Sequence, residues 1–264
     1  MAQNNSTLTG DFRLHESFHS TYLAKDRDVL VYLPPGYSEQ LERRFPVLYM
    51  QDGQNLFDGA TSFIPGMEWR VDETAQALII SQAIEPLIIV GIYNAGEQRI
   101  DEYTPTRDPK YNAGGHADLY GRMLVEELKP FIDARYRTLT DPSNTALGGS
   151  SLGGLVSLYL GLKYPRVFGK LAVISPSVWW DNGVIVRSVR SLDSKLPLRI
   201  WLDMGTAESP GAARNARRLR AALVAKGWSE GEDLKYFEAK GAGHNEQAWA
   251  ARMSQVLEYL FPAK

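Results

Sequence analysis

The stretch Gly148-Gly149-Ser150-Ser151-Leu152-Gly153-Gly154 constrains this chain more than any other, because a short apolar run ends there and a helical pattern begins. Within it, Gly149-Ser150-Ser151-Leu152-Gly153 fits G-x-S-x-G, the strand-to-helix turn that holds a serine at its tip with the hydroxyl exposed. Glycines two residues before and two after that serine answer a steric demand, since strand and departing helix approach so closely that side chains would collide. Ser151 has those flanks, whereas Ser150 has Gly148 and Leu152. Ser151 is therefore the candidate nucleophile. With glycine and serine each near ~7% of residues, such a pentapeptide arises by chance in about one chain in ten of this length, so its context has to decide.

That context is an alternation of short β-branched or apolar runs with amphipathic stretches, which predicts helices on both faces of a mostly parallel, eight-stranded sheet. Strands are expected over 12–23, 29–33, 47–51, 87–93, 145–147, 171–174, 198–204 and 234–239. Only residues 24–28 separate the first two, which predicts an antiparallel hairpin before the parallel part begins. Helices are expected over 69–81, 118–136, 152–164, 212–226 and 247–260, with a poorer pattern over 184–194. Pro130 should kink or restart the second of these near Lys129. Residues 107–117, with Pro109, Gly114 and Gly115, read as a mobile loop. No linker, low-complexity tract or solenoid repeat divides the 264 residues, so one domain over 1–264 is expected.

The 29 basic and 31 acidic residues are scattered and sum to −2, which leaves no electrostatic footprint for nucleic acid or an anionic membrane. A small-molecule or carbohydrate-linked substrate, neutral or mildly polar, suits this balance better. The absence of cysteine excludes disulfides, thiolate nucleophiles and cysteine zinc sites. Met1 to Gly10 is polar and lacks the apolar core of a signal peptide, and no apolar run reaches the ~18 residues of a membrane span. The sequence as it stands thus reads as cytoplasmic, or as secreted or periplasmic if a leader has been removed. Oligomeric state has no signature in it.

Serine is a weak nucleophile at neutral pH and needs a base in hydrogen-bond reach, with a carboxylate to hold that base in the right tautomer. Of the four histidines, His15, His19, His116 and His244, only His244 follows Ser151, as the order serine, acid, histidine requires. It lies in Gly241-Ala242-Gly243-His244-Asn245, just past the last expected strand. His15 and His19 are four apart, but on a strand and without an evident carboxylate partner, so no metal site is expected. His116, in the glycine-rich loop, reads as a surface residue.

The acid is expected after the seventh strand, in Asp203-Met204-Gly205-Thr206-Ala207-Glu208. Glu208 lies beyond Gly205 and can turn toward the site; Asp203 belongs to the strand and is the alternative, or a brace for the loop. An oxyanion needs two N–H donors. The Leu152 amide, directly after the nucleophile, is one. Gln54, in the loop after the third strand, is the other candidate, with an ordinary turn closed by Asp52 as the competing reading.

With these residues in place the chain resembles the putative-esterase family, a branch of the α/β-hydrolases that includes feruloyl and acetyl-xylan esterases, siderophore esterases and mycolyltransferases. The resemblance covers nearly the whole chain. It is carried by Val31-Tyr32-Leu33-Pro34-Pro35-Gly36-Tyr37, by the segment from Pro46 to Phe57 containing Gln51-Asp52-Gly53-Gln54-Asn55, and by the serine turn. Ser175-Pro176-Ser177-Val178-Trp179-Trp180, Gly205-Thr206-Ala207-Glu208 and Gly243-His244 complete it. The resemblance implies the α/β-hydrolase fold, a Ser151–His244–Glu208 triad, an oxyanion hole from the Gln54 and Leu152 amides, and no metal or organic cofactor. Many relatives carry aspartate where Glu208 stands, a departure of one methylene.

The resemblance also suggests that the Trp179-Trp180 segment borders the substrate pocket. Trp180 is the residue expected to touch substrate, the alternative being an indole packed beneath a loop. Asp101-Glu102-Tyr103-Thr104-Pro105 would line the same cleft or form a salt-bridged loop. The activity expected is that of a serine carboxylic-ester hydrolase for short-chain or aromatic acyl esters, on carbohydrates among others. Its rivals are an acyltransferase using the same site, a siderophore-lactone esterase, and a non-catalytic carbohydrate-binding domain of the same fold.

Overall fold

In the computed structural model the described residues are 6–263, so the first half of the polar start, residues 1–5, lies outside them. The strands are β1 (Asp11–Phe18), β2 (Arg27–Leu33), β3 (Val47–Gln51), β4 (Ile88–Ile92), β5 (Thr145–Ser150), β6 (Lys170–Ile174), β7 (Arg199–Gly205) and β8 (Leu234–Ala239). They form one sheet in the order β1-β2-β4-β3-β5-β6-β7-β8. β2 pairs antiparallel with β1 and β4, and every pairing from β4 through β3 to β8 is parallel.

Side chains alternate faces along each strand, and the core divides accordingly. Val47, Tyr49, Leu147, Leu171, Val173, Ile200 and Leu202 belong to one buried cluster; Leu48, Met50, Ala146, Ala172, Ile174 and Trp201 belong to the other. On the first face pack α3 (Ala117–Arg122), α4 (Lys129–Arg135), α5 (Leu152–Lys163), α6 (Val184–Arg190) and α7 (Ala212–Ala225), through residues such as Tyr120, Ile132, Val156, Val189 and Leu223. On the second face pack α1 (Val71–Ile80), α8 (Glu246–Ala250) and α9 (Met253–Leu260). A short α2 (Arg99–Glu102) follows β4. None of the described helices is long and apolar enough to cross a membrane.

Several boundaries differ from the expectation, each for a local reason. β1 stops at Phe18 because a bulge between His15 and Phe18 breaks its register, with Ser17 at φ 51°. The following loop is held by Glu127, which accepts from Ser20 Oγ and from Thr21 N and Oγ1. β5 runs three residues past Leu147, because Gly148, Gly149 and Ser150 keep their pairing with Ala172, Val173 and Ile174. The helix around Pro130 does restart at Lys129, after a π-helical turn over Met123–Leu128. There the Lys129 N–H donates to Leu124 O, five residues back, which widens the helix just where the proline ring has to be accommodated. The expected last helix is split into α8 and α9 at Ala251 and Arg252, the latter turned inward and buried.

The expected mobile loop is a small hairpin, Arg107–Asp108 against Ala113–Gly114, tied down by hydrogen bonds from Trp180 Nε1 to Thr106 O and from Asp181 N to Asp108. The segment before it is the salt-bridged alternative. Arg27 at the start of β2 forms a two-pronged pair with Glu102 at 2.9 and 3.0 Å, and the two side chains are 0% and 4% exposed. Removing one partner of a buried pair strands the other charge. Arg27→Met should therefore lower the free energy of unfolding by about 3–5 kcal/mol, and adding Glu102→Leu should recover most of it; urea denaturation of the two variants measures both effects.

Candidate active site

The parallel strands β3, β5, β6, β7 and β8 all end at one edge of the sheet, where their following loops gather, the usual place for ligands in such sheets. β5 delivers Ser151 there. The residue has φ 58° and ψ −121°, a conformation that favours glycine, and it is held by Ser151 N donating to Ile174 O and by its own carbonyl accepting from Leu155 N and Ser177 N. The turn has no room for a side chain at Gly149: a Cβ there would sit 2.9 Å from Gln51 Cβ and 3.1 Å from the Gly153 carbonyl carbon. Leu152 is the first residue of α5, so its amide is one of the N–H groups a helix start leaves without an intrahelical partner.

The loops after β7 and β8 bring the acid and the base together. His244 Nδ1 lies 2.6 Å from Glu208 Oε2. The other carboxylate oxygen, Oε1, accepts from Ser175 Oγ at 2.6 Å and from Gly205 N at 2.8 Å, and the Glu208 side chain is 3% exposed. The two loops are cross-linked by Ala207 N to Ala242 O and Gly241 N to Thr206 Oγ1. They cross so tightly at Gly205 that a Cβ there would overlap the Ala242 carbonyl. The His244 ring meets Trp249 edge to face, 5.0 Å between centroids, a support the sequence pattern does not announce.

Asp203, the alternative acid, is bound elsewhere. It is fully buried in β7 and accepts from Trp201 Nε1 and Ser175 N, with Arg252 Nη2 at 3.2 Å. Burial pushes its carboxyl above the usual range and Arg252 pulls it back. It is the brace, and Glu208 meets the histidine. His15 and His19 do not form a pair: the first bonds Tyr136 OH and the second Asp26. His116 precedes α3, its backbone N–H donating to Asp101 O.

Ser151 and His244 both line two cavities, one of about 650 Å³ and one of about 450 Å³. The Ser151 hydroxyl pairs with Ser177 Oγ at 3.3 Å rather than with the imidazole. Gln54 lines the smaller cavity with Ser151. Its turn is indeed closed at Asp52, through Asn55 N to Asp52 O, and Asp52 is clamped by Arg99 at 2.7 and 2.8 Å and by Asn94. The larger cavity corrects the expectation for Trp180. That indole is fully buried, packed under the 107–114 hairpin and stacked on Tyr111, while Trp179 and Tyr111, 44% and 43% exposed, form the aromatic wall. The sequence offers two adjacent tryptophans and no periodicity to say which faces out, because the segment is an irregular turn with Asp181 at φ 42°.

The sequence model of the family described as "Putative esterase" matches residues 20–260. The ferri-bacillibactin esterase BesA of Bacillus subtilis is 29% identical over 225 residues, 76% of this chain and 73% of its own. The endo-1,4-beta-xylanase/feruloyl esterase of Xylanibacter ruminicola is 26% identical over 251 residues, 93% of this chain but 31% of that longer one. The crystal structure of the BES protein from Bacillus cereus superposes with a TM-score of 0.75 at 21% identity, covering 99% of this chain and 98% of its own. The fold is that of an α/β-hydrolase.

These contacts separate the two acids by experiment. Glu208→Gln should reduce kcat for an ester by about 10²–10⁴, the range for losing the carboxylate behind a catalytic histidine. Asp203→Asn should cost less than about tenfold in kcat and act mainly on melting temperature; a larger loss of turnover for Asp203→Asn would reverse the assignment.

Proposed function

This chain belongs to the putative-esterase family and is a carboxylic-ester hydrolase, and on that premise we propose that it works through an acyl-enzyme on Ser151 and prefers esters of aromatic acids. The observation that carries the mechanism is the 2.6 Å contact between His244 Nδ1 and Glu208. A proton on Nδ1 donated to that carboxylate leaves Nε2 with the lone pair that can act as the base. Nε2 takes the Ser151 proton as Oγ attacks the ester carbonyl, and returns it to the departing alcohol. Water, deprotonated by the same nitrogen, then cleaves the acyl-enzyme and frees the acid.

The negative oxygen of each tetrahedral intermediate is held by the Leu152 and Gln54 amides. Leu152 adds the field of α5, whose N-terminal end is electropositive. Glu208 stabilises the imidazolium by charge and by orientation. No metal or organic cofactor enters this sequence of steps.

The substrate preference is supported by the wall of Trp179 and Tyr111, whose ring centroids are 5.4 Å apart on the larger cavity. Aromatic groups stacking on such a wall gain about 0.5–1.5 kcal/mol beyond the area they bury. The feruloyl esterase among the relatives points the same way.

Hydrolysis of methyl ferulate and p-nitrophenyl acetate tests both parts. Ser151→Ala should lose at least about 10⁴-fold in kcat on either ester while keeping its melting temperature within a few degrees. Trp179→Ala and Tyr111→Ala should each lower kcat/KM for methyl ferulate by about tenfold and leave p-nitrophenyl acetate within twofold. Residual activity in Ser151→Ala above that level overturns the nucleophile, and equal losses on the two esters overturn the aromatic preference.

A further inference from the structure

Behind the histidine lies a chain of polar contacts that the proposed reaction does not itself require. Arg252 Nη2 donates to Ser175 Oγ at 2.9 Å, and Ser175 Oγ donates its proton to Glu208 Oε1 at 2.6 Å. Arg252 is buried at the junction of α8 and α9, with Asp203 at 3.2 Å as its counter-ion, and its Nε and Nη1 have no partner among the described residues. Such an arginine is expensive to bury. Ser175 is equally unusual. It has φ 42°, a left-handed backbone that disfavours any residue with a side chain, and glycine would suit that backbone better.

We propose that Ser175 is a positioning residue for Glu208, and that Arg252, held by Asp203, fixes the direction in which the Ser175 hydroxyl points. The argument rests on the Ser151–His244–Glu208 reading and concerns its acid. A glutamate has one more rotatable bond than an aspartate, so its carboxylate has more orientations for its partners to restrict. Ser175 Oγ and Gly205 N occupy Oε1 together, which leaves Oε2 alone to face the imidazole. The Arg252 guanidinium has donors only, so Ser175 Oγ must accept from it and can spend its single proton on Glu208 alone. The hydroxyl thereby has one orientation, and the carboxylate inherits it.

Ser175→Gly separates this role from stability, because it removes the hydroxyl at a position whose backbone glycine relieves. The expected result is a loss of about tenfold in kcat on p-nitrophenyl acetate with KM within twofold, and a melting temperature within a few degrees of the parent. The decisive arm repeats the substitution in a Glu208→Ala background, where the carboxylate to be positioned is gone. There Ser175→Gly should cost less than twofold further. Arg252→Lys, which keeps the charge but not the fork, should repeat the kcat loss more weakly and likewise only when Glu208 is present.

Equal losses in the two backgrounds, or no loss in the parent, overturn the positioning role while leaving the triad standing. If Glu208→Ala alone leaves kcat unchanged, the triad reading fails first and the proposal falls with it.

Discussion

Ser151 keeps a backbone conformation that costs a non-glycine residue about 1–3 kcal/mol, and the surrounding structure is arranged so that the chain has no cheaper path. Its amide is claimed by Ile174 O at the end of β6, and its carbonyl by Leu155 N in α5 and Ser177 N in the next loop. Three elements therefore have to be in register before the turn can close. The register is set by the parallel pairing of β5 with β6, Ser150 opposite Ile174, and by the bare Gly149 that lets Gln51 of β3 come within contact distance. Strain at one residue is thus bound up with the packing of the central sheet, whose strands on both faces are covered by apolar clusters.

The same economy governs the polar groups. Segments at this edge satisfy one another's polar groups: Ser175 Oγ and Gly205 N go to Glu208, Arg99 to Asp52, and the amide of Asp181 to Asp108. Buried polar groups in low dielectric are costly when unpaired and specific when paired. That is why two irregular loops, after β7 and β8, can hold an acid and a histidine 2.6 Å apart without a disulfide.

Local patterns made much of this legible. The glycines around Ser151, the chain order of the chemistry-bearing residues and the alternation of strand with helix follow from sterics and periodicity within a few residues. The preference for Glu208 over Asp203 rests on one local feature, Gly205, which lets the chain leave the strand, and the 2.6 Å contact of Glu208 with His244 is consistent with it. What stayed hidden is what depends on distant partners. Arg252 is one of 29 basic residues, and nothing near it in sequence marks it as buried beside Asp203. The hairpin at 107–114 reads as mobile because its glycines and proline are local signals, whereas its anchors are Trp180 and Asp181, some seventy residues on. The same long-range pairing turned Trp180 inward and left Trp179 on the surface of the cavity.

Ser151 and His244 lie where two cavities meet, since both residues line each of them. Spaces of about 650 and 450 Å³ each fall in the range that holds a drug-sized molecule. An ester whose carbonyl sits at Ser151 can therefore contact protein on both sides of the scissile bond. Binding energy from such remote groups raises the rate only when it is realised in the transition state. The rigid parts of the site are suited to that use: the larger cavity's wall is backed by the buried Trp180, and the smaller one's turn by the Asp52–Arg99 clamp. Phe63, which lines the smaller cavity, is 82% exposed, so the apolar surface there is still available to be covered. A substrate long enough to reach both the Trp179 wall and Phe63 would hold its carbonyl at two points rather than one, and such positioning lowers the entropic part of the barrier.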